Sequence, residues 1–233
     1  MQGFRLYDSS HILWLVLCTV CAVLPAAAAS RLDERGRKKL LRFLAVLIGV
    51  LHVVLALCRW LNGSYDISVL PLQFCGITAY FCVLLEFFPC GFFEGEVFFP
   101  GLPGVVLATV FPNWTEYAPF SPISILGFLG HAVIAGYIIL RIRAGITRPS
   151  RRLALFSALF LGCYMAVMIP FNLHFRVNYG FLCWASPGSP LELLNGLNSA
   201  AYRTIFCLIL FGLCALWYLI WDLCFRALKK TRG

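Results

Sequence analysis

The sequence predicts an all-α, polytopic membrane protein: seven transmembrane helices in one bundle, N-terminus outside and C-terminus inside. Three observations carry that prediction. The chain is 61% hydrophobic and only 12% charged, with a mean hydropathy of +0.85. That is too little charge to coat a soluble domain of 233 residues. Its apolar runs reach the roughly 20 residues that a membrane-crossing helix requires. Its basic residues alternate between successive connections in the pattern that sets topology.

The spans are read at 10–29, 40–60, 68–88, 94–111, 123–145, 153–173 and 200–224. The first ends in "AVLPAAAAS", which has the small residues of a signal-peptide cleavage site. Cleavage would leave six spans and turn most of the positive charge outward, so the segment is read as a retained helix. The second runs from the basic stretch "RLDERGRKK" to the turn "NGS". The third begins near Pro71 and carries Gln73, Cys75 and Thr78 among Leu, Phe and Ile. The fourth is the weakest. It holds Glu94, Glu96, Pro100 and Pro103 and is expected to be broken or short, which is tolerated only where protein or water satisfies the freed backbone. The fifth contains "GFLGHAVIAGY", whose Gly127, Gly130 and Gly136 allow a close helix neighbour. The sixth ends at Asn172, and the seventh runs from near Arg203 to Asp222 and a basic tail. Connections such as "NWTEYAPFSP", "TRPSRR" and "SPGSP" are short and rich in turn residues. No room remains for a soluble domain, so residues 1–233 read as one transmembrane unit.

The formal charge is +9, but its placement argues against a nucleic-acid partner. Arg31, Arg35, Arg37, Lys38, Lys39 and Arg42 share the inner side with Arg141, Arg143, Arg148, Arg151 and Arg152. Arg226, Lys229, Lys230 and Arg232 join them. Only Arg5, Arg59, Arg176 and Arg203 stay outside. This is positive-inside bias, so the basic charge orients the chain and contacts anionic lipid. Most of the eleven cysteines lie in apolar spans, where cysteine behaves as a small hydrophobe. Cys90 and Cys183 fall in loops on opposite sides. No disulfide framework and no zinc spacing emerge, and no cofactor is implied. The sequons at Asn62 and Asn113 both fall on outer connections.

Polar side chains inside a membrane are costly and mark function. From a rise of about 1.5 Å per residue, Cys75 lies roughly 10 Å below the outer surface, and His131 and His52 roughly 12 Å. Gln73 sits slightly shallower. Asn172 and Arg203 close the same side, whereas the inner half offers only Glu86 near a helix end and Asp222. A cysteine and a histidine at one depth can act as nucleophile and base, and Gln73 or Asn172 can donate to a developing oxyanion. Taken singly, Cys75 also fits simple packing, His131 a hydrogen bond between helices, and His52 a structural role. His11, at the start of the first span, is read as interfacial. "GHAVIAG" is similar to the histidine helix of rhomboid proteases, but the Gly-x-Ser-Gly nucleophile they need is missing.

"SVLPLQFCGITAYFCVLL" resembles the Leu-Pro-Leu-His-Leu-Cys motif of the YwaF-like membrane family, whose eukaryotic relatives are the transmembrane protein 164 group. "FPGLPGVVLATVFPNWTEY", "ILGFLGHAVIAGYIIL" and "PFNLHFRVNYGFLCWASPGSPLELL" look like that family's later segments, in order, and "SSHILWL" fits the start of its first helix. Gln73 stands where the motif has histidine. The resemblance implies transfer of acyl chains onto phospholipids through a cysteine acyl-enzyme and a histidine, here Cys75 and His131. The group is also similar to the androgen-induced membrane lipid hydrolases, which use threonine and histidine, and Thr78 is a second candidate nucleophile. Gln73, Thr78, Asn172, Asn178, Tyr179, Arg203 and His52 complete the expected polar cavity, with Arg203 and Arg176 as candidate phosphate contacts. The expected partner is a membrane lipid as substrate. A small-solute transporter or channel and a non-catalytic membrane scaffold are the alternative functions. Nothing in the sequence sets the oligomeric state.

Overall fold

A computed structural model describes the backbone of residues 3–230 and the side chains of residues 3–224. Arg232 and the side chains of Arg226, Lys229 and Lys230 lie outside that description. The chain is all-helical, with no strand among the described residues: α1 (Ser9–Ala29), α2 (Glu34–Leu61), α3 (Phe74–Phe87), α4 (Gly91–Glu96), α5 (Leu102–Val110), α6 (Pro122–Arg143), α7 (Arg151–Phe175) and α8 (Ser199–Lys230). Asp8, Asp33, Ser121 and Ser150 start α1, α2, α6 and α7 by accepting backbone N–H groups of the first turn, the usual remedy for unpaired helix-start donors.

Six helical segments are long and apolar enough to cross a membrane: α1, α2, the α4–α5 segment Gly91–Val110, α6, α7 and α8. The expected third span is shorter than the run 68–88 suggested. Pro71 cannot continue a helical hydrogen-bond ladder and drives its predecessor out of the α region; Leu70 is extended, at φ −56° and ψ 150°. Residues Ile67–Val69 therefore form a separate 3₁₀ turn. Helix α3 begins only at Phe74 and holds 14 residues, about 21 Å of rise.

The fourth span bends without breaking. A π-helical turn, Val97–Gly101, joins α4 to α5 and contains Pro100. Val97, Phe98 and Phe99 in this turn are buried, so the irregular backbone is surrounded by protein, where such geometry is tolerated.

Helix α6 is the centre of the bundle. It runs against α1 and α2, with α5 and α3 also beside it, and 14 of its residues are buried. Gly136 makes the α1 contact possible: a β-carbon there would sit 3.3 Å from the Ala22 and Cys21 carbonyl oxygens and from Pro25. Helix α8 is peripheral, with Leu208, Leu216 and Leu223 exposed on a surface that suits lipid. His11 lies in the first turn of α1. It is fully buried, its Nδ1 accepting from Tyr7 N–H at 2.9 Å and its Nε2 facing the Thr109 carbonyl at 2.9 Å. The proton therefore sits on Nε2, and α1 is tied to the end of α5.

Candidate functional site

A cavity of about 620 Å³ opens between α2, α3, α6 and the loops around residues 65–73 and 113–117. Gln73, Cys75, His52 and His131 all line it, together with Arg59, Trp114 and Tyr117. Four residues scattered over three predicted spans thus share one space.

The two histidines are oriented alike. His131 Nδ1 lies 2.6 Å from the Gly127 carbonyl, and His52 Nδ1 lies 3.0 Å from the Ile48 carbonyl, each one turn back on its own helix. A carbonyl only accepts, so Nδ1 carries the proton in both rings. Nε2 is then the basic atom. His131 Nε2 is buried with no hydrogen-bond partner among the described residues. The ring stacks on Trp114, with centroids 5.3 Å apart. Gly127 makes room for that indole, since a β-carbon would come within 3.1 Å of it. The tautomer and the ring plane of His131 are therefore both set by α6 and the loop that folds over it.

Cys75 stands at the start of α3. Gln73 occupies the N-cap position but makes no capping bond. Its Oε1 instead accepts from Gly180 N–H at 2.8 Å, so its NH₂ group is the part left to serve the cavity. An uncapped helix start carries unpaired amides and a partial positive charge, both of which favour an oxyanion. The preceding turn is rigid. Tyr164 O–H donates to the Leu72 carbonyl at 2.9 Å, and a β-carbon on Gly76 would sit 2.9 Å from the Pro71 carbonyl.

The other expected site residues lie elsewhere. Asn172 is buried, engages the backbone of Tyr179 with both polar atoms, at 2.9 Å each, and does not line the cavity. Asn178 folds its own loop, bonding Trp184 O and the N–H groups of Cys183 and Trp184. Tyr179 is buried, and its hydroxyl donates to the Ile67 carbonyl. Arg203 lines a separate groove with Ile169 and Cys207 on α7 and α8. Arg176 is the exposed, left-handed cap of α7 at φ 56°. Thr78 is fully buried away from the cavity, its hydroxyl 2.9 Å from the Phe74 carbonyl and 2.6 Å from Glu96 Oε1. Asn172 and Tyr179 hold the loop whose Gly180 binds Gln73 and tie it to the turn before Pro71. Gly180, at φ +65° with Tyr164 and Phe74 already within about 3 Å of a would-be β-carbon, is a tight point of that loop. Gly180→Ala is expected to cost about 1–3 kcal/mol from left-handed strain alone, visible as a lowered unfolding temperature in detergent. An unchanged temperature would refute the tight loop.

Sequence reasoning missed two features. Arg59 was assigned only to the outer surface, yet it lines the cavity with its Nε buried and unpartnered. A lone arginine closing an apolar span beside a tryptophan was the available signal. The half expected to face inward also holds more than Glu86. Arg141, counted among the surface basic charges, is 7% exposed. It bonds Glu86 at 3.0 Å, Tyr137 O–H at 3.2 Å and Thr147 at 3.1 Å, and lies 3.7 Å from Glu94. Tyr137 also donates to Glu86 at 2.7 Å. Glu86 and Arg141 sit on different helices, α3 and α6, so no local spacing pairs them.

No curated protein and no solved structure matches the chain. The TMEM164 family model matches residues 6–221. That match covers the transmembrane protein 164 part of the sequence resemblance and does not extend to the YwaF-like label. A match over nearly the whole length, on a fold with six apolar helices of membrane-crossing length, makes the chain an integral membrane protein that belongs to the TMEM164 family.

Proposed function

We propose that the protein is an intramembrane acyltransferase or lipid hydrolase that works on phospholipid acyl chains through Cys75 and His131. The observation that supports it most is that His131, whose Nε2 is buried and unpartnered, lines the same cavity as Cys75. In the first half-reaction the Cys75 thiol gives its proton to His131 Nε2, and the sulfur attacks the ester carbonyl of a donor phospholipid. The start of α3 and the Gln73 amide stabilise the oxyanion. Collapse breaks the ester C–O bond, and the leaving alkoxide takes the proton back from His131. A lysolipid departs and the acyl group stays on Cys75 as a thioester. In the second half, His131 accepts the proton of an incoming hydroxyl, which attacks the thioester. The sulfur leaves and is reprotonated. A lysolipid acceptor gives transfer, and water gives hydrolysis.

The proposed topology has seven spans, with α3 as the short one and the N-terminus outside, so that the cavity faces the outer leaflet. Between the cavity and the Arg141 cluster lie Ala79, Cys82, Ile134 and Ile138, none more than 1% exposed. That layer, closed although it includes the buried Thr78–Glu96 pair, favours lipid chemistry over conduction of a solute between the two faces.

The test is intact mass of purified protein incubated with defined phospholipids, with and without hydroxylamine, for wild type and Cys75→Ala. A hydroxylamine-labile acyl adduct in wild type that is absent from Cys75→Ala is the expected result. Lipid turnover that persists in Cys75→Ala would overturn the assignment of Cys75 as the nucleophile.

A further inference from the structure

Arg59 lies in the last turn of α2, where positive charge faces the helix's partial negative end. Its neighbours Trp60 and Tyr65 are 66% and 39% exposed. Exposed Trp and Tyr at a span end mark the level of lipid headgroups. Arg59 itself is half-buried. Its guanidinium has five donors, yet its one hydrogen bond among the described residues is a long one, Nη1 to the Val69 carbonyl at 3.5 Å. Its Nε is buried with no partner. Asp66, on the loop beside it, is already committed to Ser68: the Ser68 hydroxyl and N–H, and more weakly Arg59, hold its carboxylate below the usual range. Glu116 lines the cavity but is exposed to water.

A guanidinium with unused donors at headgroup level is matched by one common chemistry, a phosphate oxyanion. The distance down the cavity fits as well. Arg59 and His52 lie seven residues apart on α2, about 10 Å of rise, so the cavity reaches from headgroup level to the depth of the histidines. We infer that Arg59 is the phosphate-binding residue of the cavity, holding the phosphodiester of a phospholipid so that its glycerol esters extend toward Cys75 and His131. This rests on the acyl-transfer reading for what lies at the deep end. The phosphate contact itself requires only Arg59 and the cavity. It takes the role the sequence suggested for Arg203 and Arg176, which lie outside this space.

The test separates binding from chemistry by using Cys75→Ala protein in a phosphorus-free detergent. Quenching of Trp60 and Trp114, which line the cavity, reports binding of dioctanoyl phosphatidylcholine, of dioctanoylglycerol and of inorganic phosphate. Added Arg59→Met is expected to weaken phosphatidylcholine binding about ten- to a hundredfold, the range for lost charge-assisted hydrogen bonds, and to leave dioctanoylglycerol unchanged. Arg59→Lys should retain part of the affinity. Equal affinity for phosphatidylcholine in all three proteins, or equal loss for both lipids, overturns the assignment. Arg59-dependent binding of inorganic phosphate without phosphatidylcholine would assign the site to a soluble phosphate ligand instead of a headgroup. A measurement on unmutated Arg59 covers a misfolded variant: phenylglyoxal labelling of Arg59, read by peptide mass, should be blocked by phosphatidylcholine and not by dioctanoylglycerol. Labelling unaffected by either phosphate ligand counts against the proposal. Arg59-dependent binding with no acyl adduct on Cys75 would sink the acyl-transfer reading while leaving the phosphate site standing. An adduct with Arg59-independent binding would do the reverse.

Discussion

His131→Ala is expected to slow formation of the Cys75 acyl adduct by about 10²–10⁴-fold, the usual worth of a positioned general base, with little change in lipid affinity. The expectation follows from the ring's surroundings. The Gly127 carbonyl holds the proton on Nδ1, Trp114 fixes the ring plane, and Nε2 is buried and unpaired in a residue that lines the cavity. Single-turnover adduct formation, read by mass, gives the rate directly, and added imidazole should recover part of it. His52→Ala is the control. Its ring has the same tautomer and lines the same cavity, so it distinguishes a specific base from a generally polar layer. A drop of less than about threefold for His131→Ala, or an equal drop for His52→Ala, would remove His131 from the mechanism.

Arg141→Met should be the most destabilising single change in its cluster. Removing one partner of a buried ion pair leaves an uncompensated charge and costs about 3–5 kcal/mol. Here two carboxylates, Glu86 and Glu94, face the same guanidinium, and the Tyr137 hydroxyl also depends on Glu86. The pairing ties α3 and α4 to α6, so its loss should be read as a lower midpoint in detergent unfolding. Combining Arg141→Met with Glu86→Gln should cost less than the sum of the two single changes, because the second removes the charge the first exposes. Strict additivity, or an Arg141→Met cost below 1 kcal/mol, would mean that the cluster is open to water.

Much of this architecture was legible in the linear sequence because lipid imposes it. Any span must be apolar, long and helical to satisfy its own backbone, so α1, α2, α6, α7 and α8 could be read from runs of Leu, Val, Ile and Phe. The weakness of the fourth span was legible too, from Pro100 and its glutamates. The form it took, a π-turn that keeps the chain helical, was not, since it depends on the protein packed around Phe98 and Phe99. The third span was overdrawn because hydropathy does not register that Pro71 delays the helix.

By itself the sequence determined that this is a helical membrane protein with Cys75, His131, His52 and Gln73 at similar depth. Composition and rise per residue fix depth, since both run along the chain. Which side chains meet was decided only by the tertiary structure. Depth leaves the rotation of each helix free, and neighbours set that rotation. Gly136 against α1, Trp114 against Gly127, and Gln73 bound to Gly180 turned four candidates into one cavity. The same contacts turned Asn172, Asn178 and Tyr179 into its scaffold and brought in Arg59. Arg141 shows the principle most plainly: a charge that topology assigns to the inner surface is drawn into the core because two carboxylates from other helices wait there.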